Sequence, residues 1–204
     1  RPRFSIETSG SLIGDTAFTI PTDDGFLLGV LASWTTWFFL SKTAQPLRLR
    51  SDRWQYRLKG QYMANVPIPE ATEEDRKIIG ALARTCCTLG QERYQGQVNV
   101  QRRLIQAFGE HSGNPLNQKA EAWWQQSLNE LGEALKTSFK LKTNPMKNPH
   151  LADEWESYLA TKKADQSRLT SELEAAEAEL NERVYRLFDL TPEEIKLLKK
   201  EVEH

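Results

Sequence analysis

Two periods run through this chain, one near its start and another over most of the rest. RFSIE alternates apolar and polar positions, and DTAFTIP alternates again before Pro21, with Gly10 and Gly14 as punctuation. Alternation at period two between turn residues predicts β-structure over residues 1–22. The pattern then changes at Gly25–Ser41, GFLLGVLASWTTWFFLS, a run without a charged residue. Its length sits at the short limit for a membrane span, and Ser33, Thr35 and Thr36 lie in its middle. A buried core helix over about 25–41 is therefore the expectation. Asp23 and Asp24 fall where a helix N-terminus favours negative charge. Pro46 interrupts, and β-like segments return in LRLRS and WQYRLKGQYMANVPIP, with Gly60 as a bend and Pro67 and Pro69 closing the unit.

Beyond Pro69 the spacing is helical. Thr72 with Asp75 three residues later is a capping pattern, and Ile78, Leu82, Cys86 and Leu89 then mark one face. A shorter helix is expected over Val98–Phe108, a loop at 111–117, and an amphipathic helix carrying Trp124, Leu128, Leu131, Leu135 and Phe139. Pro145 and Pro149 break the stretch 142–149. The most regular segment follows: Leu169, Leu173, Ala176, Leu180, Val184 and Leu187 recur every three or four residues among charged helix formers, which predicts a coiled-coil arm. Thr191, Pro192 and Glu194 open a last short helix with a capping box. The predicted architecture is α+β. A small mixed β unit with a buried helix occupies residues 1–69. A helical region occupies residues 70–204, with an antiparallel coiled-coil arm at about 150–188.

Composition narrows the class. Of 204 residues, 39% are hydrophobic and 27% charged, the balance of an ordinary globular protein. The chain opens at Arg1 inside a strand-like pattern, so a piece of a larger protein is expected. A net charge of −1 gives no global pull toward nucleic acid or membrane, yet the charges are not spread evenly. From Lys42 to Lys59 there are six basic residues and one acid, Asp52, whereas from Leu151 onward there are eight basic and fourteen acidic residues. The two regions are expected to do different work. The only cysteines, Cys86 and Cys87, are adjacent and lack metal-ligand spacing, which fits packing groups in a reducing, cytoplasmic protein.

Catalytic patterns are sparse. His111, His150 and His204 lie far apart and form no paired ligand motif. No nucleophile elbow or phosphate-binding glycine loop occurs. Glu194-Ile-Lys196 resembles half of a nuclease site but falls in the capped terminal helix. Thr143-Asn144-Pro145-Met146 lacks the second proline and the aromatic residue of an amino-clamping NPPY turn. The chain by itself is thus expected to be non-catalytic. Recognition remains. Lys42, Arg48, Arg50, Arg53, Arg57 and Lys59 are interleaved with Trp54, Tyr56 and Tyr62, and such cations neutralise phosphates or pair with base edges. If WQYRLK is a strand, Trp54, Tyr56 and Leu58 share an inward face and Gln55, Arg57 and Lys59 an outward one.

Several stretches, taken in order, resemble a known family. FLLGVLASWTTWFFLSK is followed by YRLKGQYMANVPIPEATEEDRKIIGALA, then by RRLIQAFGE, EAWWQQSLNEL, and a tail reading VYRLFDLTPEEI. This order is similar to the C-terminal target-recognition region of γ-class N6-adenine DNA methyltransferases, including TaqI-like, type IIG and BREX-type restriction–modification enzymes. VPIP at 66–69 matches that family's LPIP element with Val66 for leucine. The resemblance runs from about Ile13 to Leu198. It implies a TaqI-like specificity domain joined to an upstream catalytic domain, with AdoMet bound by that domain and no cofactor in this chain. Its partners would be double-stranded DNA, whose target it reads while helping to present a flipped adenine, and the methyltransferase domain of the same polypeptide, with no membrane involved. The competing expectation is a protein-interaction scaffold that docks the catalytic domain or another subunit without touching DNA. Trp123-Trp124 bears on it, because neighbours on a helix face different surfaces.

Overall fold

A computed structural model of the protein describes residues 4–7, 10, 19–50, 53–109 and 112–202. It is 72% helical with one two-stranded antiparallel sheet, so the α+β class read from the sequence holds. Two compact units interleave in sequence: residues 1–87 with 174–204, and residues 88–173. Among the described residues no helix is long and apolar enough to cross a membrane.

The first unit begins with residues 4–7, where Phe4 and Ile6 are partly buried and Ser5 and Glu7 are exposed. Alternation in burial is thus present, but none of the described residues among 1–22 belongs to a strand, because no described segment pairs with them. The rest of that expected β segment, Gly14 included, lies outside the described residues. The uncharged run then forms two helices instead of one, α1 (Gly25–Ala32) and α2 (Trp34–Thr43). Hydroxyls make the corner. Ser33 is extended (ψ 159°), its Oγ accepts from Thr36 N and donates to Val30 O at 2.7 Å, and Thr36 Oγ1 donates to the same carbonyl at 2.7 Å. Trp34 N, freed by the break, donates to Asn181 Oδ1 at 2.8 Å. Serine and threonine compete with the helix for its own backbone groups, and here they win. At the start of α1, Asp24 Oδ1 accepts from Phe26 N and Leu27 N.

β1 (Gln45–Arg50) and β2 (Arg53–Arg57) form the hairpin, and α3 (Gly60–Met63) is a single helical turn where a β-like segment is expected from the sequence. Val66 then buries beside Leu31 and Leu40. The rest of this unit's core joins Phe26, Leu28 and Val30 to Ile79 and Ala83 of α4 (Glu73–Leu104) and to Leu180 and Val184 of α7 (Pro149–Leu187). Thr72 caps α4, accepting from Asp75 N at 3.1 Å. The most buried positions of α4 here are Ile79 and Ala83, one step from the Ile78–Leu82–Cys86 face, which is only half-buried. Gly29 explains the offset: a Cβ on it would stand 2.5 Å from Ile79 Cγ2, so α1 is pressed directly onto that row. α8 (Pro192–Val202) ends the unit under the Thr191–Glu194 capping box, with Glu194 N donating to Thr191 Oγ1 and Thr191 N to Glu194 Oε2.

The second unit contains the later part of α4, a π-helical turn at Ile105–Gly109, α5 (Gln118–Glu121), α6 (Leu128–Phe139) and the first part of α7. The face from Ile78 and the start of the short helix expected at 98–108 belong to one continuous 32-residue helix, and residues 105–108 to the π turn. Gly96, within it, marks a close approach and not a break: a Cβ there would stand 2.7 Å from Gln166 Nε2. Gln166 is 5% exposed, donates to Arg93 O at 3.1 Å and accepts from Gln97 Nε2 at 3.1 Å. With Arg103 meeting Glu154 at 3.4 Å further along, the two helices run antiparallel in this unit. Trp123, Leu131, Leu135 and Phe139 fill the core between them and α6. The helix expected from Trp124 starts at Leu128, since Ser127 and Glu130 form a complete capping box, and Trp123–Gln125 is a 3-10 turn. Hydrogen bonds from Ser127's side chain and backbone hold the Glu130 carboxyl below its ordinary pKa.

Leu180, 4% exposed in the first unit's core, supplies the stability test. Leu180→Ala should cost about 2–5 kcal/mol, read as a lower midpoint in denaturant unfolding, whereas the same change at exposed Leu197 should leave the midpoint nearly unmoved.

Candidate nucleic-acid interface

The hairpin carries most of the basic strip. Its register pairs Arg50 with Arg53, Leu49 with Trp54, Arg48 with Gln55, Pro46 with Tyr56 and Gln45 with Arg57, with an irregularity between Pro46 and Arg48. Residues directly opposite in an antiparallel pair share a face, and faces alternate along each strand. Positions 48, 50, 53, 55 and 57 therefore fall on one face, and Leu49, Trp54 and Tyr56 on the other. Four arginine positions gather on a ribbon only five or six residues long. At Arg50, Arg53 and Arg57 the description extends to the backbone alone. Arg48 is exposed, and its Nε donates across the ribbon to Gln55 Oε1 at 2.6 Å.

The opposite face anchors the ribbon at its base. The Tyr56 ring meets Trp37 of α2 edge-on, 5.4 Å between centroids, and Leu58 packs on the Leu31–Leu40–Val66 cluster. Inward packing of Tyr56 and Leu58 agrees with the alternation of WQYRLK. Trp54 does not follow: it is 53% exposed, as are Leu49 (55%) and Leu47 (52%). The cluster covers the ribbon's base and reaches no further toward the turn.

The remaining two residues of the strip lie off the ribbon. Lys42, in the last turn of α2, forms an ion pair with Glu201 of α8 and sits 5.4 Å from the centroid of the Phe38 ring. Both partners are largely exposed, so the pair contributes little to stability. Lys59 is exposed just past β2, where its carbonyl accepts from Tyr62 N to start α3. The structure thus unites Arg48, Arg50, Arg53 and Arg57 by register and gives Lys42 an acidic partner. Trp37 and Gln55, which hold the ribbon and its arginine face, escape a reading of charge alone. Trp37 lies in the apolar run, and Gln55, on the outward face expected from WQYRLK, meets Arg48 only through the register.

The motifs with a catalytic look are occupied by structure. Asn144 is 3% exposed, caps the turn Pro145–Lys147, and donates to Asn129 O and Glu133 Oε1 at 3.2 and 3.0 Å. The Glu194 carboxyl is bound by Thr191, whose backbone and hydroxyl hydrogen bonds lower its pKa. His111 and His204 lie outside the described residues, and His150 is exposed in the first turn of α7. Among the described residues no three His, Cys, Asp or Glu side chains gather as a metal site. Trp123 is fully buried and its Nε1 donates to Gln97 O at 3.3 Å, while Trp124 lies edge-on to it in the same cluster. Trp123 belongs to the second unit's own core, and Trp124, half-buried, packs against it.

Arrangement and chemistry define a helical domain preceded by a basic β-ribbon. Residues 72–184 match the model of a family described as a domain of unknown function (DUF8810), and with more than half of its length matched the chain belongs to that family. The matched segment runs from the cap of α4 to Val184 in α7 and leaves the ribbon outside it. No curated protein and no solved structure matches the chain.

The Tyr56–Trp37 contact yields a test of the anchoring. Trp37→Ala should remove an aromatic pair worth about 0.5–1.5 kcal/mol. Amide exchange should then accelerate across residues 45–57 while Val100 and Leu104 keep their protection. Unaltered exchange in the ribbon would mean that Tyr56 is held by something else.

Proposed function

We propose that this chain is a sequence-reading DNA-binding module, the target-recognition part of an N6-adenine DNA methyltransferase or a fused restriction–modification enzyme, and not itself catalytic. The observation that carries this reading is the register that assigns Arg48, Arg50, Arg53 and Arg57 to one face of a two-stranded ribbon. B-form DNA's major groove admits a two-stranded β-ribbon, and arginine there serves either phosphate or the O6 and N7 edge of guanine. The family resemblance in the flanking segments supports the same reading and assigns AdoMet to a separate catalytic domain. The ribbon's local excess of cations gives a salt-dependent attraction although the chain as a whole is nearly neutral. Leu47, Leu49 and Trp54, exposed on the same ribbon, favour a second reading, a scaffold whose hairpin docks on another protein surface.

Salt dependence separates the two. If four arginines meet phosphates or bases, the log–log slope of DNA affinity against salt should be about −3 to −4, from about −0.9 per phosphate contact. Arg48→Ala should weaken binding to all duplexes alike and flatten the slope by about one unit. Arg57→Ala should cost about 1–3 kcal/mol on a duplex selected from a random pool and relax one position of it. Should titrations of both variants match the parent chain on every duplex, the ribbon is not the DNA contact and the scaffold reading takes its place.

A further inference from the structure

The second unit carries a cleft unrelated to the arginine ribbon and wholly within the family-matched segment. It is an open groove of about 590 Å³ between the end of α4 and the segment entering α7, roomy enough for a small molecule held on one side. Its walls are about evenly polar and apolar; Phe108 and Leu151 are half-buried there, and Trp155, 4% exposed, shows only an edge. The π-helical turn Ile105–Gly109 shapes one wall. A π turn inserts an extra residue into the helical repeat, is rare, and recurs at functional sites. Here packing holds it in place: Gly109 is buried under Phe139, where a Cβ would stand 2.5 Å from Cε1. The displaced Phe108 ring lies 5.3 Å from Trp155, tilted by 43°.

The polar lining is asymmetric. Arg103 and Lys142 face one acid, Glu154. Arg103 stacks over Tyr158 at 4.1 Å and holds Glu154 only at 3.4 Å, with both members of the pair well exposed. Lys142 is exposed and has no ion-pair partner among the described residues. A groove with the Phe108 ring on one side, Arg103 stacked 5.4 Å from the Trp155 ring centroid and an unpaired ammonium at its rim is complementary to a flat body bearing a negative group. The geometry points to a binding site for a small aromatic anion, its ring system against Phe108 and the edge of Trp155 and its carboxylate, sulfonate or phosphate group taken by Lys142 with Arg103.

Two dyes of nearly the same shape test this on the 204-residue chain: anilinonaphthalene sulfonate, which is anionic, and phenylnaphthylamine, which is not. The sulfonate should bind at one site per chain, with energy transfer from tryptophan, and more tightly than the neutral dye. Lys142→Ala should weaken the sulfonate about tenfold, the loss expected for one charge-assisted hydrogen bond, and leave the neutral dye unchanged. Ala107→Trp and Thr143→Trp, both at exposed cleft positions, should each fill the space and abolish binding of both dyes while the far-ultraviolet circular dichroism stays the same. Absence of sulfonate binding overturns the site, and so does binding that survives whichever filling variant folds. An equal loss of both dyes in Lys142→Ala overturns its anionic specificity.

Discussion

The burial of Leu180 and Val184 beside Ile79, Ala83, Phe26 and Val30 is the contact on which the ribbon-bearing unit rests. These six side chains come from three segments distant in sequence, and the area they remove from water is the main source of favourable free energy available to hold them. Asn181, in the same turn of α7, adds a directional element. Its Oδ1 accepts from Trp34 N and its Nδ2 donates to Glu177 O. The corner between α1 and α2 is thereby fixed to α7, and α2 in turn presents Trp37 to the ribbon. An unmet backbone N–H at such a corner would cost about as much as a lost hydrogen bond, so the asparagine aligns α2 as well as satisfying it.

Polar side chains set geometry in the second unit too. Gln166, buried against Gly96, satisfies Arg93 O and Gln97 Nε2 together and fits only one alignment of α4 against α7. A buried amide whose partners exist in a single register specifies that register even where it adds little stability. Tyr185 is buried in the first unit: burial pushes its hydroxyl pKa up to about 12, helped by Glu182, which keeps the phenol neutral at all ordinary pH.

Electrostatics on this chain is local. Net charge near zero is the sum of an arginine ribbon and an acidic later region, and screening confines each to roughly a Debye length in physiological salt. Lys42 illustrates the difference between counting and placing. It belongs to the basic strip by position, yet it stands opposite Glu201. The ribbon's arginines, by contrast, owe their shared face to backbone pairing, which no count of charges expresses.

What the sequence by itself determined follows from local causes. Capping patterns at Thr72 and Thr191–Glu194, the proline start of α8, and the repeat of Leu169, Leu180 and Val184 all act within a few residues, so their outcomes are readable in order. The inward alternation of Tyr56 and Leu58 belongs here as well. Other outcomes rest on partners far along the chain. Alternation at Phe4–Glu7 produced one-sided burial without a strand, because a strand needs a neighbour. The uncharged run bent at Ser33, where hydroxyl bonds and Asn181 outweighed an otherwise favourable helix. Gly96 lies inside a continuous helix because Gln166 occupies its missing Cβ, and the cleft beside Phe108 exists only because Gly109 and Phe139 hold a π turn. Tertiary structure decided these points, since each depends on which distant atom fills the space or accepts the bond.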